Sequence, residues 1–223
     1  MGNGREGIDG FLKPCFFEHA GNPVGWQNRA GRHGLHPSLA RYLADVTNQP
    51  PVAANDQYTG VQGNRLTIAA PGVLGNDTNP DLNTTLNAVP VSGTLHGTLG
   101  LGSNGFFFYE PQPVFSGNDS FTYKAASNGI LSNVATVTIR IQSLADYINA
   151  QQVLNKGKKE SLTKKLANAE ALFASGQTKA ACNILGAFLN EVKALSGPVD
   201  VDPNALAILR NGAIALMGAY GCS

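Results

Sequence analysis

Two patterns of hydrophobic and polar positions follow each other along the chain. From about Val52 to Gln142, short β-prone runs alternate with clusters of Gly, Asn, Asp, Pro and Ser. In the last run Val137, Ile139 and Ile141 alternate with polar neighbours, a period of two that predicts a strand with one buried face. About seven such runs, with a turn signal roughly every ten residues, predict an Ig-like Greek-key β-sandwich over residues 51–142.

From residue 143 to residue 223 the apolar spacing becomes helical. The sequence Asn155-Lys156-Gly157 is expected to stop the first helix, and Asp202 is expected to cap the last one, with proline at its first position. Four short helices with tight connections predict a small antiparallel four-helix bundle, so the fold class is multidomain, β followed by α. The predicted helices run from Leu144 to Leu154, Lys159 to Ala174, Thr178 to Ser196, and from Pro203 onward.

Residues 1–50 have no sustained period of 2 or 3.6, which predicts a poorly structured N-terminal segment. The absence of a recognisable secretory signal, together with an unusual Gly, Arg, His and Asn content, leaves open that this segment is not native. Its C-x3-H and H-x2-H spacings are superficially those of a zinc site, but ordinary loop is the preferred interpretation. The residues concerned are Cys15, His19, His33 and His36.

Charge and motifs exclude several classes of function. The chain has 16 Lys and Arg against 15 Asp and Glu, and this balance gives no electrostatic case for binding nucleic acid or an anionic membrane surface. No apolar run approaches the ~20 residues of a membrane-spanning helix. Because no nucleophile motif and no Gly-rich phosphate loop is present either, we expect the protein not to be an enzyme.

Two cysteines are placed for a disulfide. Cys182 lies near the start of the third predicted helix, and Cys222 follows the end of the fourth. In an antiparallel pair of helices, the start of one lies beside the end of the other, so the two thiols are expected to pair. Such a bond favours an oxidising compartment. The alternative is two unpaired thiols that behave as small hydrophobic groups.

Four aspartates fall in or beside predicted turns: Asp56, Asp77, Asp81 and Asp119. Calcium takes six to eight oxygen ligands, and turns at one pole of a sandwich can supply them. The spacing matches no dense calcium-binding loop. The preferred interpretation is therefore that these residues stabilise turns, and calcium binding is the alternative.

Phe106 and Phe108 alternate with Phe107 and Tyr109, so the two pairs lie on opposite faces of a predicted strand. If the face of Phe107 and Tyr109 is the core, Phe106 and Phe108 are exposed unless something covers them, and exposed aromatic pairs mark binding surfaces, including platforms for carbohydrate. The alternative is that the helical bundle or the N-terminal segment packs on them.

Two stretches resemble known families. In the β-prone part, PVAANDQYT, PGVLGND, HGTLG, GFFFYEP, FSGNDSFTYK and SNVATVTI resemble the tandem Ig-like and cadherin-like repeats of large bacterial surface and secreted proteins. In the helical part, SLTKKLANAEALFASGQTKAACNILGAFLNEVKALSG and GAYGCS resemble the FIMAH domain, which ends bacterial secreted proteins.

The resemblances imply a non-enzymatic extracellular or cell-surface module, a spacer or adhesive unit with a helical cap or attachment domain. Its partners would be other domains of a larger surface protein or a cell-surface ligand, and some related repeats bind calcium. Two alternatives stay open. One is the accessory C-terminal region of a secreted hydrolase whose catalytic domain is missing, and the other is a carbohydrate-binding module that uses Phe106 and Phe108.

Overall fold

The computed structural model describes residues 48–81, 84–195 and 202–222, which all fall in one compact unit, residues 47–223. The features predicted for residues 1–47, including the cysteine and histidine spacings, lie outside the described residues. The described chain is β followed by α, as predicted. We call residues 52–142 the β region and residues 144–222 the helical region.

The β region has eight strands among the described residues, one more than the seven expected. The additional strand, β7, is two residues long and follows a tight turn in which Asn128 and Gly129 both have positive φ, of 46° and 81°. A two-residue turn of this kind matches the twist of a hairpin. The strands are β1 Asp56–Val61, β2 Leu66–Ile68, β3 Asn87–Ser92, β4 Gly97–Leu101, β5 Phe107–Pro111, β6 Gly117–Ser127, β7 Ile130–Leu131 and β8 Ala135–Gln142.

The strands form two sheets. One has the order β1-β8-β6-β3 with β7 on β6, and the other has the order β2-β5-β4. The pairing of β1 with β8 is parallel, and the other pairs are antiparallel. The first strand therefore runs alongside the last one, and the β1–β2 turn lies at the end of the sheet where the chain leaves for the helices.

Aromatic side chains from both sheets fill one hydrophobic core. Phe107 and Tyr109 of β5, and Phe121 and Tyr123 of β6, have no exposed surface. The Phe107 and Phe121 rings meet edge to face with centroids 5.5 Å apart, a favourable geometry for aromatic pairs. The alternation predicted for β8 is confirmed, because Val137, Ile139 and Ile141 are all buried in the same core.

The helical region has four helices among its described residues: α1 Leu144–Ala150, α2 Lys156–Ala174, α3 Thr178–Ala194 and α4 Pro203–Ala219. The prediction that Asn155 stops the first helix is wrong. Asn155 instead caps α2, since its side-chain oxygen accepts a hydrogen bond from the Lys158 N–H at 2.9 Å. Helix α1 therefore ends at Ala150, and α2 begins three residues earlier than expected. The predicted cap of the last helix is confirmed, because Asp202 accepts from the Asn204 N–H.

A second hydrophobic core joins these helices, and it is mainly aliphatic. It includes Leu144 and Ile148 of α1, Leu162 of α2, Leu185 of α3 and Leu209 of α4, all at most 1% exposed. These positions recur at helical spacing, so each helix has one apolar stripe turned toward the others. Within the described ranges, no helix is long and apolar enough to cross a membrane.

Candidate functional site

The turn between β1 and β2 is a contact point between the β region and the helical region. At its start Gln62 is only 5% exposed, and its side-chain nitrogen donates to the Val114 carbonyl at 3.1 Å. The side-chain oxygen accepts from the N–H of Leu144, the first residue of α1, at 3.1 Å. One buried amide therefore links a β-region loop to the beginning of the helices.

The same turn contacts the backbone of α4. Asn64 donates from its side-chain nitrogen to the Ile208 carbonyl at 3.1 Å. Gly63 has a φ of +69°, and a Cβ on it would lie 2.9 Å from the Cα of Gly212 and 2.8 Å from the Cβ of Ala215. The turn and the helix thus approach more closely than side chains would permit at either position.

Gly212 is the matching residue on the helix. A Cβ on Gly212 would lie 2.7 Å from Leu144 Cδ1 and 3.1 Å from the Gln62 carbonyl oxygen. The connection along the chain is equally short, because β8 ends at Gln142 and α1 begins at Leu144, with Ser143 as its cap. We call the contact of Gln62, Gly63 and Asn64 with α4 and Leu144 the junction.

Sequence reasoning did not single out the junction. Gly212 carried a usable signal, since a glycine inside a helix costs about 1 kcal/mol relative to alanine and calls for a packing reason. The partner turn carried none, because Gln-Gly-Asn is an ordinary turn sequence.

Two of the four predicted calcium ligands come together around a tyrosine hydroxyl. The Tyr123 hydroxyl lies 2.9 and 3.0 Å from the carboxylate oxygens of Asp77 and 3.4 Å from Oδ2 of Asp56. It also contacts the Val73 carbonyl. A phenol carries a single donor hydrogen, so it cannot satisfy both carboxylates at once.

This arrangement shifts the pKa values of the two aspartates and of the nearby Tyr58. Burial and the nearby charge of Asp77 raise the pKa of Asp56 to about 6, although hydrogen bonds from Tyr123 and Tyr58 act in the opposite direction. Burial also raises the pKa of Asp77, against the hydrogen bonds from the Ala54 N–H and Tyr123. Burial and Asp56 raise the pKa of Tyr58 to about 12. The cluster therefore carries less negative charge near neutral pH than two exposed aspartates would.

Asp119 belongs to a different hydrogen-bond set. Its carboxylate accepts from the Leu95, His96 and Ser120 N–H groups and from the Tyr109 hydroxyl, at 2.8 to 3.1 Å. Burial alone would raise the pKa of Asp119, but these four hydrogen bonds lower it below the usual value. The carboxylate thus anchors the loop before β4 to the core ring of Tyr109.

Asp81 has a third environment. It is 7% exposed and accepts from the Gln49 N–H at 3.1 and 3.2 Å, which ties the entry of the described chain to the loop before β3. No group of three or more His, Cys, Asp or Glu side chains able to hold a metal ion occurs within residues 48–81, 84–195 and 202–222. Calcium binding by the four aspartates stays a prediction, and Asp56 with Asp77 is the pair that lies close together.

Phe108 is half-buried on the outer face of the three-stranded sheet, and neighbouring residues cover its ring. The ring occupies the space above Gly100 of β4, where a Cβ would lie 2.2 Å from its Cε1. The Arg65 guanidinium carbon lies 3.7 Å from the ring centroid, a cation–π contact. Phe106 is also half-buried, beside Gly102. A sugar ring would have to displace Arg65 in order to stack on Phe108.

The predicted cysteine pair is bonded in the structure. Cys182 in the first turns of α3 and Cys222 after α4 form a disulfide with their Cα atoms 5.6 Å apart. Beside it, the rings of Phe173 and Tyr220 stack with centroids 3.7 Å apart, which joins the end of α2 to the end of α4. The C-terminus of the helical region is therefore held by one covalent and one aromatic contact.

The β region matches a known protein family. Residues 48–143 match the model of the bacterial cadherin-like domain. The match covers both sheets and ends at Ser143, the residue before α1. It therefore includes the junction turn but none of the helices α1 to α4. No curated protein matches the chain.

Three solved structures share a weak likeness with 44% of the chain. They are a nucleoside hydrolase-related hypothetical protein from Saccharophagus degradans that is associated with carbohydrate metabolism (15% identity, TM-score 0.33), an endo-fucoidan hydrolase of glycoside hydrolase family 107 (16%, 0.34) and a Photobacterium 2,6-sialyltransferase (14%, 0.28). The likeness spans 27%, 14% and 22% of those chains. At these scores it carries no argument about function.

Proposed function

We propose that this chain is a non-enzymatic extracellular module of a bacterial surface or secreted protein. In it an Ig-like, cadherin-like sandwich and a FIMAH-like four-helix bundle form one stiff spacer or adhesive unit. The match of residues 48–143 to the bacterial cadherin-like domain supports the nature of the β region. The junction is the observation that carries the proposal of stiffness.

A spacer presents the surfaces at its two ends in a fixed relation only if its parts do not rotate about their connection. Domains joined by polar linkers move relative to each other by default. Here Ser143 alone separates β8 from α1, and the buried Gln62 amide bonds across the connection. Gly63 also packs so closely on α4 that a methyl group on it would clash with Gly212 and Ala215, which supports direct packing of the two regions.

The disulfide supports placement outside the cell. Disulfides persist in oxidising compartments and are rare in the reducing cytosol. The bond between Cys182 and Cys222 closes a loop across two of the four helices that the structure describes in this small region. An extracellular or periplasmic environment is where such a bond stabilises the fold continuously.

Calcium binding remains part of the proposal, centred on Asp56 and Asp77. Burial and the charge of Asp77 raise the pKa of Asp56, and a divalent cation between the two carboxylates would offset the repulsion. Thermal melts at pH 8 in calcium and in chelator test this, because a ligand of the folded state raises Tm. The calcium-dependent rise in Tm should disappear in the Asp77→Asn variant. Equal Tm values of the unmodified protein in calcium and in chelator would contradict the calcium hypothesis.

The stiffness of the junction is tested by residual dipolar couplings in solution, recorded on the unmodified protein and on Gly63→Ala. In the unmodified protein, couplings from the β region and the helical region should fit a single alignment tensor. In Gly63→Ala they should require two, because a methyl group displaces α4 from the turn.

Gly129→Ala is the matched control. Gly129 also has a positive φ, of 81°, but a Cβ on it would meet no atom within 4 Å. This variant has the same backbone strain without the clash and should keep one tensor. Two different tensors in the unmodified protein would show that the regions move independently and would overturn the stiff-spacer proposal.

A further inference from the structure

A cleft of about 560 Å³ opens at the side of the β region where β3 and β4 lie. Both are edge strands, because β3 pairs only with β6 among the described strands and β4 only with β5. The two strands follow each other along the chain but belong to different sheets. The cleft is therefore a gap between the two sheets of the β region.

Strand β4 turns apolar side chains into this gap. Leu99 and Leu101 lie directly opposite Tyr109 and Phe107 of β5. Residues directly opposite each other in an antiparallel pair share one face of the sheet, so both leucines are on the core side, where the two aromatic rings have no exposed surface. Leu99 and Leu101 are nevertheless only half-buried, and they line the cleft. Among the described residues, the core is therefore left open at this edge.

The backbone of β4 directs hydrogen-bonding groups toward the cleft. In an antiparallel pair, every second residue exchanges hydrogen bonds with the partner strand, and the residues between them direct theirs away from it. Two hydrogen bonds, both of 2.8 Å, fix the phase of this alternation along β4: Gln112 N–H to the His96 carbonyl and Gly102 N–H to the Phe106 carbonyl. The N–H and carbonyl groups of Leu99 and Leu101 therefore point away from β5. They have no hydrogen-bond partner within the part of the chain that the structure describes.

The facing edge of β3 is protected against a further strand. The Ala88 N–H already donates to the Ser103 carbonyl at 2.8 Å. Pro90, two residues later, has no N–H to donate, and the register with β6 shifts between Pro90 and Ser92. Proline and bulges are common protection of an edge strand against pairing. Strand β4 has no proline and pairs with β5 without a register shift, so its edge is the one that can accept a strand.

We propose that the edge of β4 binds an extended segment of a partner protein, which adds a fourth strand to the sheet β2-β5-β4. The segment bonds to the N–H and carbonyl groups of Leu99 and Leu101, and its side chains opposite these residues enter the cleft. The described lining of the cleft has no charged residue, so these side chains are apolar, and Val or Ile suits an extended backbone. The inference goes beyond the spacer function and does not rest on it, because this edge takes no part in the junction.

The probe is a display library of linear peptides with Val or Ile fixed at alternate positions and the positions between them randomised. Selection is on the full chain, with counter-selection on Val91→Lys, which places a charge in the cleft at a residue that is 53% exposed. A selected peptide, titrated by fluorescence anisotropy, should bind Val91→Lys about tenfold more weakly, because the charge would be buried without a partner. Val134→Lys is the matched control, since Val134 is 49% exposed and does not line the cleft, and the peptide should bind it as it binds the unmodified protein. Thermal melts verify that both variants fold.

Amide hydrogen exchange shows whether the bound peptide pairs with the strand. In the free protein the amides of Leu99 and Leu101 should exchange fast, and those of Thr98 and Gly100, which bond to β5, should exchange slowly. Saturating peptide should slow exchange at Leu99 and Leu101 at least tenfold and leave Thr98 and Gly100 unchanged. N-methylation of a peptide residue whose N–H faces β4 should abolish binding, whereas N-methylation of the next residue, whose N–H faces solvent, should have a much smaller effect.

Several outcomes would overturn the proposal. Slow exchange of Leu99 and Leu101 in the free protein would show that the edge is already paired within the chain. Failure to enrich any peptide, equal weakening by Val134→Lys, or equal loss of binding with both N-methylated peptides would show that no strand is added at this edge. Dimerisation in sedimentation velocity that Val91→Lys abolishes, without binding of any peptide, would assign the edge to a second copy of this chain instead.

Discussion

The β region and the helical region hold their folds together by different means. Every polar side chain that is buried in the described chain lies in the β region: Gln62, Asp81, Asp119, Ser127 and Ser132. The described buried side chains of the helical region are apolar, and a disulfide joins the start of α3 to the residue that follows α4. The reason lies in the backbone. Loops that cross the ends of two sheets leave N–H groups that need an acceptor, whereas helices satisfy theirs internally except at their ends, where exposed caps such as Asn155 and Asp202 accept.

The two regions should therefore be destabilised by different kinds of substitution. In the β region a single carboxylate such as Asp119 accepts from two loop residues and a core tyrosine, so its loss exposes several donors together. In the helical region Cys182 and Cys222 provide one covalent link, and the remaining cohesion is spread over many aliphatic contacts. Four predictions follow this difference, in order of decreasing effect.

Removal of the disulfide should have the largest effect, and it should be confined to the helical region. Cys182→Ser should lower the free energy of unfolding of the helices by about 4 kcal/mol, because the bond closes a loop over a sequence separation of 40 residues. Native-state amide exchange of both regions measures it. Cys222→Ser and the double variant should give the same loss, since each removes the same bond, whereas equal destabilisation of the β region would remove the distinction between the two regions.

Asp119→Ala should destabilise the β region by about 3 kcal/mol. The change leaves the buried Tyr109 hydroxyl and several N–H groups without their acceptor. Urea unfolding followed by the β-region tyrosines measures the loss. Glu110→Ala is the control, because Glu110 is an exposed carboxylate on β5 and its removal should change stability by less than about 0.5 kcal/mol. A small effect of Asp119→Ala would show that water replaces the carboxylate easily.

The contributions of Asp56 and Asp119 to the free energy of unfolding should change with pH in opposite directions. The pKa of Asp56 is raised to about 6, so the folded state holds its proton more tightly than the unfolded state does. The stability that this group contributes is therefore complete below the ordinary pKa of aspartate and is lost as pH rises through about 6. The pKa of Asp119 is lowered, and its contribution is present above the ordinary aspartate pKa and is lost as pH falls through the lowered value.

Asp56→Asn isolates the first of these responses. It should raise the free energy of unfolding by roughly 1 kcal/mol at pH 8, because the charge on a partly buried carboxyl and its repulsion with Asp77 are removed, and the gain should vanish below about pH 4. Denaturant melts across that pH range measure the difference between the variant and the unmodified protein. A gain that does not depend on pH would show that hydrogen bonding by the amide, rather than charge, is responsible.

Arg65→Ala should have the smallest effect, a loss of about 0.5 kcal/mol from the cation–π contact with Phe108. Arg140→Ala is the matched control on the other sheet, since Arg140 is an exposed arginine on β8. The same variant uncovers one face of the Phe108 ring, so it also sharpens the carbohydrate hypothesis. Glycan binding that appears only in Arg65→Ala would show that Arg65 blocks an aromatic platform, and binding that is unchanged would place any sugar site elsewhere.

Features that depend mainly on neighbours along the chain could be predicted from the sequence. The alternation of Val137, Ile139 and Ile141 predicted the core face of β8, and Asp202 before proline predicted the start of the last helix. The cysteine pair was predictable too, because the order of antiparallel helices already places the start of one beside the end of the next. The first two follow from a period of 2 and from cap chemistry, which act over a few residues, whereas the cysteine pair also needed the expectation that consecutive helices pack antiparallel.

Apart from the cysteine pair, the contacts between distant residues could be read only from the tertiary structure. Asp56 and Asp77 share Tyr123 across 67 and 46 residues, and Asn64 bonds to Ile208 across 144. Arg65 covers Phe108 because β2 lies next to β5, a pairing that no spacing in the sequence specifies. The physical reason is that strand order and the packing of helices against a sheet depend on the fit of the whole core, whereas local periods fix only which face of each element turns inward.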